Sequence, residues 1–167
     1  MANTNNAPIV KRILATVAVA TVLVIAAPGQ VAAEDVAFVV NKANPTDTLS
    51  MAQLKKILLA KDAQWPSGKK ITIYMGAPGQ PERSSALKTV CGMSETDFNL
   101  QYMHAAFVGE TAEPPKVAAS AAQAKQAVAA APGAMAVIRA SEVDDTVKVV
   151  KIDGVAPGGA GYSVPIK

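Results

Sequence analysis

Residues 70–90 read as a single strand–loop–helix unit, and this unit limits the folds open to the chain. Lys70–Met75 alternates Ile71, Ile73 and Met75 with polar partners, the period-two pattern of a strand. Gly76–Gln80 follows with two glycines and a proline. Pro81 suits the first position of a helix that runs to Val90 and is ended by Gly92. A strand that hands directly to a helix belongs to layered α/β architecture. The unit also carries chemistry. A helix N-terminus presents N–H groups and a partial positive charge to an anion. Gly76 and Gly79 let backbone approach a ligand, and Arg83 offers a planar fork of donors. Gly79, Gln80, Arg83 and Ser84 are therefore the expected anion-binding residues. The plainer alternative is an ordinary strand-to-helix turn, with Glu82 merely favouring the helix dipole.

The rest of the chain repeats the alternation. Asp35–Asn41 is a short apolar run with β-branched and aromatic residues, read as a buried strand. Ser50 caps a helix over Met51–Leu59, with Met51, Leu54, Ile57 and Leu58 at helical spacing. Ser94 with Asp97 is a capping signature for a helix to about Ala106. Pro114-Pro115 breaks the chain. Ser120 caps an alanine-rich helix to Ala131, stopped by Pro132-Gly133. Ala134–Ile138 and Val147–Ile152 are the last two expected strands. Gly154–Lys167 is rich in Gly and Pro, the composition of a loosely held tail.

Residues 1–33 stand apart. Lys11-Arg12 precedes Ile13–Ala27, an unbroken run of apolar residues and Thr, and Val31-Ala32-Ala33 supplies small residues for cleavage. Fifteen residues fall short of the ~20 a membrane span needs. The pattern predicts a secretory signal cleaved after Ala33, an exported domain over 34–153, and no stable membrane insertion after cleavage. Without Lys11 and Arg12, 14 of the 16 basic residues remain against all 13 acidic ones, a charge near +1. With no basic stripe and only 4% aromatics, nucleic acid is excluded as a partner.

Several residues admit a sharp and a bland reading. Trp65 is either a ligand-stacking ring or a ring packed at the core edge. His104 has no acidic or thiol neighbour at ligand spacing, so it reads as a helix-face residue rather than a metal ligand. Cys91, the sole cysteine, is a buried thiol or an intermolecular disulfide partner. Asp144-Asp145 is a turn signal. The helix Ser120–Ala131 is either packed on the sheet or a dimer face. There is no G-x-S-x-G, metal cluster or P-loop, so no catalytic residue, metal or cofactor is expected.

Taken in order, Val39-Val40-Asn41-Lys42-Ala43-Asn44-Pro45, Leu49-Ser50-Met51-Ala52-Gln53-Leu54 with Ile57, Trp65, Gly79-Gln80-Pro81-Glu82-Arg83 and Pro132-Gly133-Ala134 carry a resemblance. The chain resembles the periplasmic substrate-binding proteins of phosphate ABC transporters over about Val36 to Asp153. That family folds as a two-lobed clam. The resemblance implies one lobe of a type 2 periplasmic-binding-protein-like fold, an α/β domain with a small mixed sheet flanked by helices. The family's anion loop typically reads Arg-x-x-Gly-Ser-Gly-Thr. Here Gly76 stands at the Arg position, Gly79 keeps the first Gly, Gln80 replaces Ser, Pro81 replaces the second Gly, and Glu82 replaces Thr. These changes remove a charge-assisted pair and an N–H donor and add a like charge.

The function expected on these grounds is a non-catalytic, periplasmic solute-binding-like protein that holds a small oxyanion such as phosphate weakly. The alternative is an interaction protein that kept the fold and lost the ligand, contacting another exported protein or a second copy of itself.

Overall fold

A computed structural model describes residues 34–108 and 113–167. The expected signal segment, residues 1–33, lies outside the described residues. The elements run β1 (Val36–Val40), β2 (Thr48–Leu49), α1 (Met51–Leu58), β3 (Thr72–Met75), α2 (Pro81–Ala86), α3 (Glu95–Phe107), β4 (Lys116–Val117), α4 (Ala121–Ala130), β5 (Ala134–Arg139), β6 (Lys148–Val149) and β7 (Lys151–Ile152). Five strands form one mixed sheet in the order β4-β3-β5-β1-β6, and β2 pairs with β7 in a small second sheet. Strands β4, β3 and β5 are parallel, while β1 lies antiparallel to both β5 and β6.

Burial on both faces explains the near-continuous apolar central strands. Val36, Phe38 and Val40 of β1, with Met135 and Val137 of β5, join the core under α1, α2 and α3. Ala37 and Val39, with Ala134, Ala136 and Ile138, meet Ala124 and Val128 of α4 on the opposite face. The small residues of α4 thus pack on the sheet, and its buried stripe is not a free dimer face. Trp65 is 2% exposed and donates Nε1–H to the Gly133 carbonyl at 3.0 Å. It belongs to the core rather than to a ligand.

Local signals set the helix ends. Ser50 and Ser94 form capping boxes with Gln53 and Asp97, and Ser120 accepts from the Gln123 N–H. After α2 the last turn, Leu87–Cys91, widens to a π-turn and stops at Gly92, whose φ of 72° is the left-handed conformation that glycine adopts without strain.

Two expectations need correction. Val147–Ile152 is not one strand. The fully buried Val150 donates its N–H to the Phe38 carbonyl, and the chain then leaves β1 to pair as β7 with β2. Nor is the tail loose. Val164 is fully buried and its carbonyl accepts from the Val36 N–H at 2.9 Å, Tyr162 Oη donates to the Val36 carbonyl at 2.6 Å, and the Lys167 N–H reaches Ser85 Oγ at 3.0 Å.

Candidate functional site

Because β3, β4 and β5 are parallel, the three segments that follow them emerge at the same edge of the sheet. Residues from those strand ends and segments line a cleft of about 230 Å³: Gly76, Ala77, Gln80 and Glu82 after β3, Ala118–Ala121 after β4, Arg139 at the end of β5 and Glu142 beyond it. Open α/β sheets bind ligands at the carboxyl ends of their strands. The volume is below the ~300–1,000 Å³ of drug-sized sites, so any occupant is a small solute.

The cleft's charge is carried by Glu82, Arg139 and Glu142. Arg139 is already engaged. Its Nε lies 3.3 Å from Glu82 Oε2 and its Nη1 3.3 Å from Glu34 Oε2, with the side chain 35% exposed. The Arg139 backbone N–H also donates to Glu142 Oε2 at 3.4 Å. Lys125, at the inner side of α4, donates to the Glu142 carbonyl at 2.8 Å and pairs with Asp144 at 2.5 Å. The hydrogen bond from Lys125, followed by those from Thr146, holds the Asp144 carboxyl well below its usual range. Asp144 is thus the acceptor of a turn, consistent with its sequence signature.

The expected anion residues separate. Gln80 lines the cleft, while Gly79 and Ser84 are not among its lining residues. Gly79 has φ of 89° and turns the loop toward the helix. Arg83 is only 4% exposed. Its Nε and Nη2 form a bidentate pair with Glu95 of α3 at 3.0 and 2.5 Å, and Nη1 donates to the Gly76 carbonyl at 3.0 Å. The guanidinium fork therefore grips a partner inside the protein, fastening the loop to the start of α3. Its neighbour Glu82 is 9% exposed, and its Oε1 lies 2.9 Å from where a Cβ on Gly76 would stand. Gly76, which occupies the Arg position of the resembled loop, thus leaves room for the Glu82 carboxylate.

Arg139 was missed at the sequence level. A visible signal existed: a cation closing the buried run Ala134–Ile138 marks the carboxyl end of a strand. Cys91 is buried, and burial pushes its thiol up from 9.0 to about 11. His104 is exposed, and among the described residues no group of three or more potential metal ligands exists. Nor is any described helix long and apolar enough to cross a membrane.

The chain matches no protein-family model and no curated protein sequence. Solved structures do match. An ABC-type phosphate transport receptor from Vibrio cholerae aligns with TM-score 0.64 at 23% identity, covering 78% of this chain and 53% of its own. PstS from Borrelia burgdorferi aligns with TM-score 0.63 at 11% identity, covering 80% and 55%. A phosphate-binding protein from Stenotrophomonas maltophilia gives TM-score 0.51 at 20% identity, covering 74% and 40%.

The fold is that of the phosphate-binding proteins. The chain spans about half the length of these matched structures. The sequence-level resemblance and the α/β class with a small mixed sheet flanked by helices stand on this likeness.

Proposed function

We propose that this protein is a non-catalytic, exported solute-binding-like module whose cleft at the ends of β3, β4 and β5 takes a small oxyanion such as phosphate only weakly. The matched structures belong to phosphate-binding proteins, which supports a small anion as the solute class. One observation sets the affinity: Arg139, the one cationic side chain among the cleft's described lining residues, is shared between Glu82 and Glu34. An incoming phosphate meets two lining carboxylates and must compete for a guanidinium that is already paired. A carboxylate near an anion site acts against the anion.

The test is phosphate-dependent thermal stabilisation at low, fixed ionic strength, because screening weakens such charge effects. Glu82→Gln frees Arg139 Nε and removes a like charge, and it should tighten phosphate by roughly fivefold to tenfold, about 1 kcal/mol. Arg139→Ala should abolish the response. Unchanged phosphate responses in both variants would refute the cleft as the anion site.

A second reading, an interaction protein with an idle cleft, is favoured by α3. Its outer face leaves Leu100, Met103 and Phe107 55%, 67% and 91% exposed.

A further inference from the structure

Glu82 is the buried carboxylate of the cleft, and it is short of donors. It is 9% exposed, yet it makes one long contact, Oε2 with Arg139 Nε at 3.3 Å. Oε1 accepts no hydrogen bond from the described residues. It is not sealed away either: among the described residues Asn44 Nδ2 is the one side-chain polar atom both fully buried and without a partner. Oε1 lies beside Gly76, at the cleft lining. A carboxylate has about four acceptor sites, and a buried one left short of donors is costly. The described residues form no cluster of three or more potential metal ligands, which leaves an N–H-bearing solute as the donor. The cleft also holds donors of its own. Ala121 opens α4 there, and its N–H has no intrahelical partner. The cap does not use it, because Ser120 Oγ takes the Gln123 N–H and Gln123 Oε1 takes the Ala119 N–H. Arg139 engages Nε and Nη1, while its Nη2 makes no hydrogen bond to a described residue.

We infer that the preferred solute of this cleft is a small amino acid, with its ammonium on Glu82 Oε1 and its carboxylate on the Ala121 N–H and Arg139 Nη2. This rests on the reading that the cleft is the solute site. Two arguments select a zwitterion over an inorganic anion. First, phosphate must draw Arg139 away from Glu82 and Glu34. An ammonium instead adds to the free carboxylate oxygen and leaves both ion pairs in place. Second, Glu82 and Glu142 outnumber Arg139 in the lining, so the cleft carries a net negative charge. An inorganic anion adds to that excess, whereas a zwitterion sets its own cation against it. A plain ammonium ion would satisfy Glu82 but leave the start of α4 and Nη2 without an acceptor. Size narrows the class further. At roughly 30 Å³ for each water, the cleft of about 230 Å³ holds about seven or eight waters, room for glycine, alanine or β-alanine but not for an aromatic amino acid.

Isothermal titration of the protein with glycine, alanine and β-alanine, beside phosphate, acetate and methylammonium, tests this at low, fixed ionic strength. At least one of the amino acids should bind roughly tenfold more tightly than phosphate, acetate or methylammonium, because only it engages both halves of the cleft. Glu82→Gln keeps the side chain's shape and removes its charge. It should weaken that amino acid by roughly tenfold while tightening phosphate, so one variant moves the two ligands in opposite directions. Glu142→Gln, at an exposed position, should weaken the amino acid by roughly twofold to threefold with an unchanged melt, and it carries the test if Glu82→Gln does not fold. Amino acids that bind no better than phosphate would overturn the inference and leave the oxyanion reading standing. Amino-acid binding that depends on Glu82, with no response to phosphate, would support the inference and count against the oxyanion reading. Methylammonium as tight as the best amino acid would overturn it, and so would amino-acid affinity unchanged in both variants.

Discussion

Replacing Arg83 with alanine should destabilise the whole domain, although Arg83 looks in sequence like an exposed ligand-binding residue. The Arg83 side chain is 5% exposed and Glu95 25%. Truncation removes two charge-assisted hydrogen bonds to Glu95 and the one to the Gly76 carbonyl. It strands a carboxylate and a carbonyl in a site that excludes most water. Breaking a buried pair by deleting one member costs about 3–5 kcal/mol. Glu95 keeps some access to water, so the loss here should be about 2–4 kcal/mol. For a domain of this size that corresponds to a fall in Tm of roughly 8–15 °C. Arg83→Lys keeps the charge but cannot serve Glu95 bidentately and Gly76 together, and should lose about half as much. Thermal and urea unfolding followed by circular dichroism measure both variants. A melt within ~2 °C of wild type for Arg83→Ala would refute the buried-clamp reading and return Arg83 to the surface.

Three further outcomes follow from the packing. Burial raises the Cys91 thiol from 9.0 to about 11, so the unfolded chain ionises first. Stability should be full below pH about 9 and fall as pH climbs toward 11, with a shallower fall in Cys91→Ala, as urea unfolding across that range will show. The same thiol should resist iodoacetamide at pH 8 until the protein is unfolded. Tyr162→Phe removes the bond to the Val36 carbonyl and should cost about 1 kcal/mol, whereas removing residues 162–167 also uncovers the Val36 edge and extracts Val164, and should cost more; a truncated chain as stable as wild type would show that the tail is not part of the fold.

The legible parts of this structure are those written locally. Ser50, Ser94 and Ser120 each announce a helix start, because capping is settled within three residues. Gly92 announces a stop for the same reason. The parallel-strand edges are a different matter. Lys116-Val117 is exposed and has no strand pattern of its own; it becomes β4 only because β3 lies beside it. The tail's Tyr162, Val164 and Ile166 alternate as a strand would, but the surrounding Gly and Pro hide the signal. At the cleft, the loop singled out in the sequence supplies Gly76, Ala77, Gln80 and Glu82 to the lining, whereas Arg83 turns inward to Glu95. Arg83 and Glu95 sit on separate helices joined by the Gly92 turn, and nothing local reveals that they pair. Arg139 reaches the same loop from 57 positions away through Glu82. Both assignments depend on how the layers stack, which is a property of the assembled core.

The central proposal is that the cleft at the ends of β3, β4 and β5 takes a small oxyanion only weakly, because the protein's own carboxylates already pair with Arg139. Isothermal titration of the protein with inorganic phosphate at low ionic strength tests it most directly. The account predicts a Kd no tighter than roughly 0.1 mM, about −5.5 kcal/mol. A Kd at or below ~1 μM would contradict it, because Arg139 could not then be neutralised by Glu82 and Glu34 in the state that meets the ligand.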